Sequence, residues 1–170
     1  MKIVVIYESL YGNTKAIAEA IAAGLQGGGN VTLYSTLEEI DITAADLVVI
    51  GGPTHAHGMS RASSRQIDDK RAAPLPGTDT GLGMREVIQA LPRGDGRPIA
   101  TFDTRFDKPA WLTGSAAAVA AKKLKKQGYR IITEPQSFMI DGGEGPLATG
   151  ELDRARMWGK ELTEILATAS

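Results

Sequence analysis

Apolar residues along this chain follow two periods. Short, mainly apolar runs cover Lys2 to Tyr7, Leu47 to Ile50, Pro98 to Phe102 and Tyr129 to Thr133, the first two rich in Val and Ile. That composition and length suit strands buried on both faces of a parallel sheet. A fifth short run, Val31 to Tyr34, is flanked and interrupted by polar Asn30 and Thr32 and suits an outer position. Between the runs the period changes. Ile17, Ala18, Ile21, Ala22 and Leu25 recur at helical spacing before Gly27 to Gly29 stop the helix. A second helix is expected over Ser60 to Arg71, and a third over Met84 to Leu91, ending at Pro92. An alanine-rich helix starts at Ser115, with Val119 and Leu124 on its inner face. A closing amphipathic helix carries Leu152, Ala155, Gly159, Leu162 and Leu166.

The breakers fit this division. Gly51, Gly52 and Pro53 are expected to end the third strand sharply, and Ala73 to Gly83 reads as a Pro/Gly-rich loop. Gln136 to Ile140 can extend the last strand beyond Pro135, and Asp141 to Gly150 is a glycine-rich loop. No internal repeat is visible. Strands alternating with helices predict one domain, residues 1–170, in the α/β class. The expected architecture is a doubly wound five-stranded parallel sheet in the order 2-1-3-4-5, with helices on both faces. Ligands bind such sheets where the winding direction switches, here between the first and third strands. The turn after the first strand should therefore face a ligand. Pro53 to Arg61, after the third strand, should form one wall and Asp103 to Trp111, after the fourth, the other.

Composition narrows the chemistry. Net charge is −1, so no nucleic-acid partner is implied. The absence of cysteine excludes disulfides, thiolate metal sites and thiol catalysis, and two histidines argue against a zinc site of protein ligands. No apolar run approaches the ~20 residues that cross a bilayer, and the first strand starts too early for a signal peptide. A cytoplasmic location is expected. Lys122, Lys123, Lys125 and Lys126 crowd the last turns of one helix, where they complement its negative end; a docking patch for an acidic partner is the alternative.

The turn at the switch is rich in neutral donors: Ser9, Tyr11, Gly12, Asn13 and Thr14. It lies between a strand end and a helix N-terminus, where free N–H groups and the helix dipole favour an anion. A nucleoside triphosphate loop would end in Gly-Lys-Ser/Thr, but Asn13 follows Gly12 and Lys15 follows the threonine. A dinucleotide fingerprint would need three glycines, and only Gly12 is present. Hydroxyls at both ends without a dedicated lysine suit a terminal phosphate monoester. The plainer alternative is a turn that merely caps the first helix.

SLYGNT, from Ser9 through Leu10 to Thr14, resembles the first loop of the flavodoxins, Ser/Thr-x-[Thr/Tyr]-Gly-[Asn/Thr]-Thr, at every defined position. The resemblance implies a flavodoxin-like fold and FMN as cofactor, with its phosphate in this loop. It also implies that Pro53, Thr54, His55, His57 and Gly58 line the inner face of the flavin ring, Gly58 supplying a peptide that flips on reduction. Imidazoles stand here where the family usually has a large aromatic, and they can also carry protons near neutral pH. On the other wall, Asp103, Thr104, Arg105 and Phe106 are expected at the pyrimidine edge and outer face. Phe106 is the first stacking candidate and Trp111 the second, although Trp111 is rather expected to pack beneath the loop as core. Arg105 either lies near N1 of the flavin, where its charge would favour the reduced form, or pairs with Asp103 or Asp107.

Three functions are compatible with these residues. The first is an FMN-binding electron carrier with no catalytic residue of its own, serving redox partner proteins: a flavin-dependent reductase and an acceptor. Such a chain would be a monomer or a weak homodimer, independent of membranes. The second is an FMN-dependent NAD(P)H:quinone reductase in which His55 and His57 deliver protons. The third is an interaction protein that kept the fold and lost the flavin. Flavodoxin carriers are markedly acidic and this chain is not, which bears on the partners more than on FMN.

Overall fold

The structure, a computed structural model, describes residues 1–55, 57–69 and 82–168. Strand β1 (Lys2–Tyr7) leads into α1 (Asn13–Leu25), and a single tight helical turn over Gln26–Gly28 brings the chain to β2 (Asn30–Ser35). Then come β3 (Leu47–His55), β4 (Gly58–Met59), α2 (Ala62–Asp69) and α3 (Met84–Ala90). The second half runs β5 (Pro98–Phe106), α4 (Ala110–Thr113), α5 (Ala116–Lys126), β6 (Arg130–Ile131), β7 (Gln136–Ile140) and α6 (Glu151–Thr168). The Pro/Gly-rich loop expected over Ala73 to Gly83 lies mostly outside the described residues. None of the described helices is long and apolar enough to cross a membrane.

The sheet order is β2-β1-β3-β5-β6, with β7 also on β5 and the short β4 hairpinned onto β3. This is the 2-1-3-4-5 order with the fifth position split in two. β6 pairs with Pro98 and Ile99, and β7 resumes opposite Phe102 to Phe106. Pro135 lies in the break between them, where a residue without an N–H costs the ladder least. All of these pairings are parallel except the β3–β4 hairpin.

Alternation along each strand feeds two cores. Ile3, Val5, Leu47, Val49 and Phe102 pack under α1 and α6, where Phe102, Phe138 and Trp158 meet edge to face with centroids 6.2–6.4 Å apart. Val4, Ile6, Val48, Ile50 and Ile99 pack under α3 and α5 on the other side. Both faces are covered, which is why the strand runs are continuously apolar.

Two strands are longer than their apolar runs suggest. β3 does not stop at Ile50 but continues through Gly51, Gly52 and Pro53 to His55, paired with β5 as far as Pro53↔Thr104. Gly51 is a packing residue here, since a Cβ on it would lie 2.5 Å from the Phe102 ring. β1 has already ended opposite Gly51, so the N–H missing from Pro53 leaves no bond unmade on that side. β5 likewise runs on to Phe106, which makes Asp103 to Phe106 strand rather than loop.

Candidate functional site

The loop after β1, the ends of β3 and β5, the end of β7 and the loop beyond it enclose an open pocket of about 330 Å³. It sits at the carboxyl edge of the sheet, at the switch between β1 and β3. Its floor is the β1–α1 turn. Gly12, at φ 89°, is the residue before α1, and its N–H donates to Ser9 Oγ at 3.1 Å. No side chain caps α1, and its first turn holds no acidic residue. The helix end is therefore open to an anion rather than closed by its own hydroxyls. Thr14, only 2% exposed, shares a 2.7 Å hydrogen bond with the Thr104 hydroxyl across the pocket. Asn13 Nδ2 donates to the carbonyl of Glu144 at 2.7 Å, tying the floor to the loop after β7.

Ser9, Leu10, Tyr11, Asn13, Thr14, Pro53, Thr54, His55, Thr104, Arg105 and Phe106 all line this one pocket. Ile140, Gly143 and Glu144 complete it and were not singled out from the sequence. The signal available for them was topological: the loop after the last strand lies at the same sheet edge as the others.

Three anticipated wall residues lie elsewhere. Asp103 is fully buried on the opposite face of β5, where its Oδ2 accepts from Ser115 Oγ at 2.6 Å and from the Ala117 N–H at 2.9 Å. It fixes the start of α5, with Ser115 itself capping the Ala118 N–H. Gly58 is buried in β4, paired with His55, and the left-handed backbone expected of a glycine belongs instead to His57, at φ 72°. Both residues line a neighbouring cleft. Gly114 holds His57 in that conformation through a backbone bridge so close that a Cβ on the glycine would fall 2.2 Å from His57 Cα.

The outer wall also departs from expectation. Trp111 is 79% exposed in the four-residue α4 and forms no part of the core. Phe106, 44% exposed, remains at the pocket. Arg105 donates to the carbonyls of Lys108 (2.5 Å) and Phe106 (3.4 Å) and to Thr113 Oγ1 (3.3 Å). Those bonds bind the 106–113 turn together; no ion pair of Arg105 with Asp103 or Asp107 is formed among the described residues.

Behind the floor lies a buried polar network absent from the sequence reading. Glu8, 3% exposed, accepts from the Met84 N–H at 2.7 Å and from Ser60 Oγ. Ser60 Oγ also accepts from Arg65, itself 1% exposed, at 2.8 Å, and Arg65 reaches Glu86 at 3.1 Å. Burial works to raise the Glu86 pKa, but hydrogen bonds from Arg65 and the Gly83 N–H outweigh it and hold the carboxyl below its ordinary value. The network fastens the chain just before the pocket floor to the segments after β4 and before α3.

A hydroxyl-lined crevice at the winding switch of an open parallel sheet defines this chain as a doubly wound α/β domain with an anion-compatible ligand site. A family model of the flavodoxin domain matches residues 4–73. A flavodoxin from the domain Archaea is 20% identical, with a TM-score of 0.68, covering 98% of this chain and 99% of that one. Flavodoxin 2 from Bacillus cereus is 18% identical at a TM-score of 0.63, covering all of both chains. A flavodoxin, WrbA-like protein from Agrobacterium tumefaciens is 18% identical at 0.61, covering 99% of each. No curated protein matches the sequence. The chain thus resembles the flavodoxin domain in sequence over its amino-terminal part and shares the flavodoxin-like fold over its full length.

Proposed function

We propose that the chain is an FMN-binding redox protein that carries electrons between partner proteins, a flavin-dependent reductase and an acceptor. The observation that carries this reading is the uncapped start of α1 beside the neutral donors of the Ser9–Thr14 turn. Ser9, Asn13, Thr14 and the first-turn N–H groups would hold the phosphate, as the resemblance to flavodoxins implies. His55, at the end of β3, and Phe106, at the end of β5, line the pocket and would stack on a flat ring, and Thr54 is fixed by accepting the Ala116 N–H at 3.0 Å. When bound, the flavin supplies the electron-accepting chemistry. The protein's own part is to bind, orient and shield it, and no proton-transfer residue is required for that. The test is titration of purified protein with FMN, followed by anaerobic photoreduction in visible light. Saturable binding with a perturbed flavin spectrum is expected. Protein that stays colourless with excess FMN would establish the flavin-free interaction protein instead.

His55 on the pocket wall favours a second reading, an FMN-dependent NAD(P)H:quinone reductase, because an imidazole there can deliver a proton to a bound quinone. Turnover of NADPH with a quinone by purified protein separates it from the carrier.

A further inference from the structure

A second cleft of about 500 Å³ adjoins the first pocket and shares His55 with it. It is built from the β3–β4 hairpin, the start of α2, and side chains of α3 and α5. We infer that this cleft, through His57, Arg61, Ser63, Ser64 and Arg85, binds a phosphorylated small molecule whose other end meets the occupant of the first pocket at His55. That the two occupants react rests on the second, reductase reading above; the binding itself does not.

The charge of the lining carries the argument. No acidic side chain is among the described residues of the cleft, whereas two arginines and two histidines are. The three arginines of this region are used differently. Arg65 is buried and spent on Ser60 and Glu86. Arg85 is positioned by the carbonyls of Met59 (3.0 Å) and Ser60 (3.2 Å), which engage two of its five N–H donors and fix the guanidinium at the wall. Arg61 is exposed at the rim. Glu8, which approaches Ser60 from behind, is occupied by that hydroxyl and the Met84 N–H. The cleft thus keeps a positive potential with preset donors. Two guanidiniums with imidazole and hydroxyl groups beside them match the many acceptor oxygens of a phosphate or diphosphate better than the two of a carboxylate. The volume is that of a small-molecule site.

Inorganic pyrophosphate is the probe, titrated into FMN-saturated protein and followed by NMR shifts of backbone amides and imidazoles. Saturable shifts are expected at His57, Ser63 and Ser64. Arg61→Gln and Arg85→Gln should each raise the Kd at least about tenfold, while Arg156→Gln, an exposed charge on α6, leaves it unchanged. Because Arg61 is exposed, its variant also answers for any misfolding of Arg85→Gln. Shifts confined to Ser9–Thr14, a Kd indifferent to Arg61 and Arg85, or no saturable response would each overturn the proposal. If FMN itself fails to bind, the same titration of the flavin-free protein still decides this site, because its sensitivity to Arg61 does not depend on flavin.

Discussion

The two pockets that meet at His55 obtain their donors in opposite ways. The first takes them from one contiguous turn, Ser9 to Thr14, whose hydroxyls, amide and backbone N–H groups are uncharged and set by a strand-to-helix junction. The second gathers charged groups from separate places: His57 from a hairpin, Arg61 and two serines from the start of α2, and Arg85 from α3. A neutral cradle can be encoded locally, because a helix end supplies much of its field. A cationic cleft of distant side chains depends on tertiary contacts that hold its parts in register. Glu8 is where the two constructions join. It directly precedes the floor of the first pocket and fastens Ser60 and Met84, the neighbours of Arg61 and Arg85.

Cutting that junction should have the largest effect. Glu8→Ala removes the acceptor of both the Ser60 hydroxyl and the Met84 N–H, and each buried polar group left unpaired costs about 1–3 kcal/mol. Denaturant unfolding should show a loss of that order, with Glu8→Gln losing less because it keeps an acceptor for the Met84 N–H. A loss below about 1 kcal/mol would mean the pockets do not share this support.

Thr14→Val probes the first pocket alone. Its hydroxyl is buried and paired with Thr104, so deletion should weaken FMN binding by about 1–3 kcal/mol, roughly 5- to 150-fold. Thr104→Val is the needed comparison. If Thr14 serves only its partner threonine, both variants will lose stability equally and the FMN dissociation constant will hold still in each.

The difference between the pockets also explains what could be read in the sequence. SLYGNT is contiguous, and all of its residues but Gly12 line one pocket. The strand order was legible because burial on both faces writes unbroken apolar runs. The ends of β3 and β5 were not, because Gly51 looks like a breaker until the Phe102 ring is seen lying over it. Asp103 was read as a wall, but alternation along β5 turns it to the opposite face from Thr104, toward α5. Trp111 was read as core from its apolar character, yet a four-residue helix at the rim gives it nothing to pack under. The arginine cleft left no local mark, since Arg61 and Arg85 are far apart in the chain.

Glu151 tests, through pH, the support of β7, whose last residue Ile140 lines the first pocket. It accepts the Met139 N–H at 2.6 Å and pairs with Arg154 at 2.7 Å, so it holds the start of α6 against β7. Burial works to raise its pKa, but the bonds from Arg154 and Met139 prevail, and the folded value lies below the ordinary one. A depressed folded pKa contributes stability above the unfolded value of about 4.3, which is lost as pH falls through the folded value. Glu151→Gln should therefore be less stable than the parent by about 1–2 kcal/mol at pH 7, with the gap closing as the solution is acidified below about pH 4. A gap independent of pH would assign the loss to packing instead of charge.

The smallest effect is expected at Gly58, and it separates the two pockets most finely. Family resemblance gives this residue a peptide that turns over on flavin reduction, yet the structure places it in β4 with no left-handed backbone. A Cβ there would meet only Val119 Cγ2, at an ordinary 3.6 Å. Gly58→Ala should then change stability and FMN affinity of the oxidised protein by less than about 0.5 kcal/mol, as most well-accommodated substitutions do. Its reduction potential is the discriminating measurement. A lowered potential would mean the reduced state needs a backbone that alanine resists, which puts the 57–58 peptide at the flavin. An unchanged potential would leave His57 and Gly58 to the arginine cleft, with His55 the sole histidine of that hairpin acting on the first pocket.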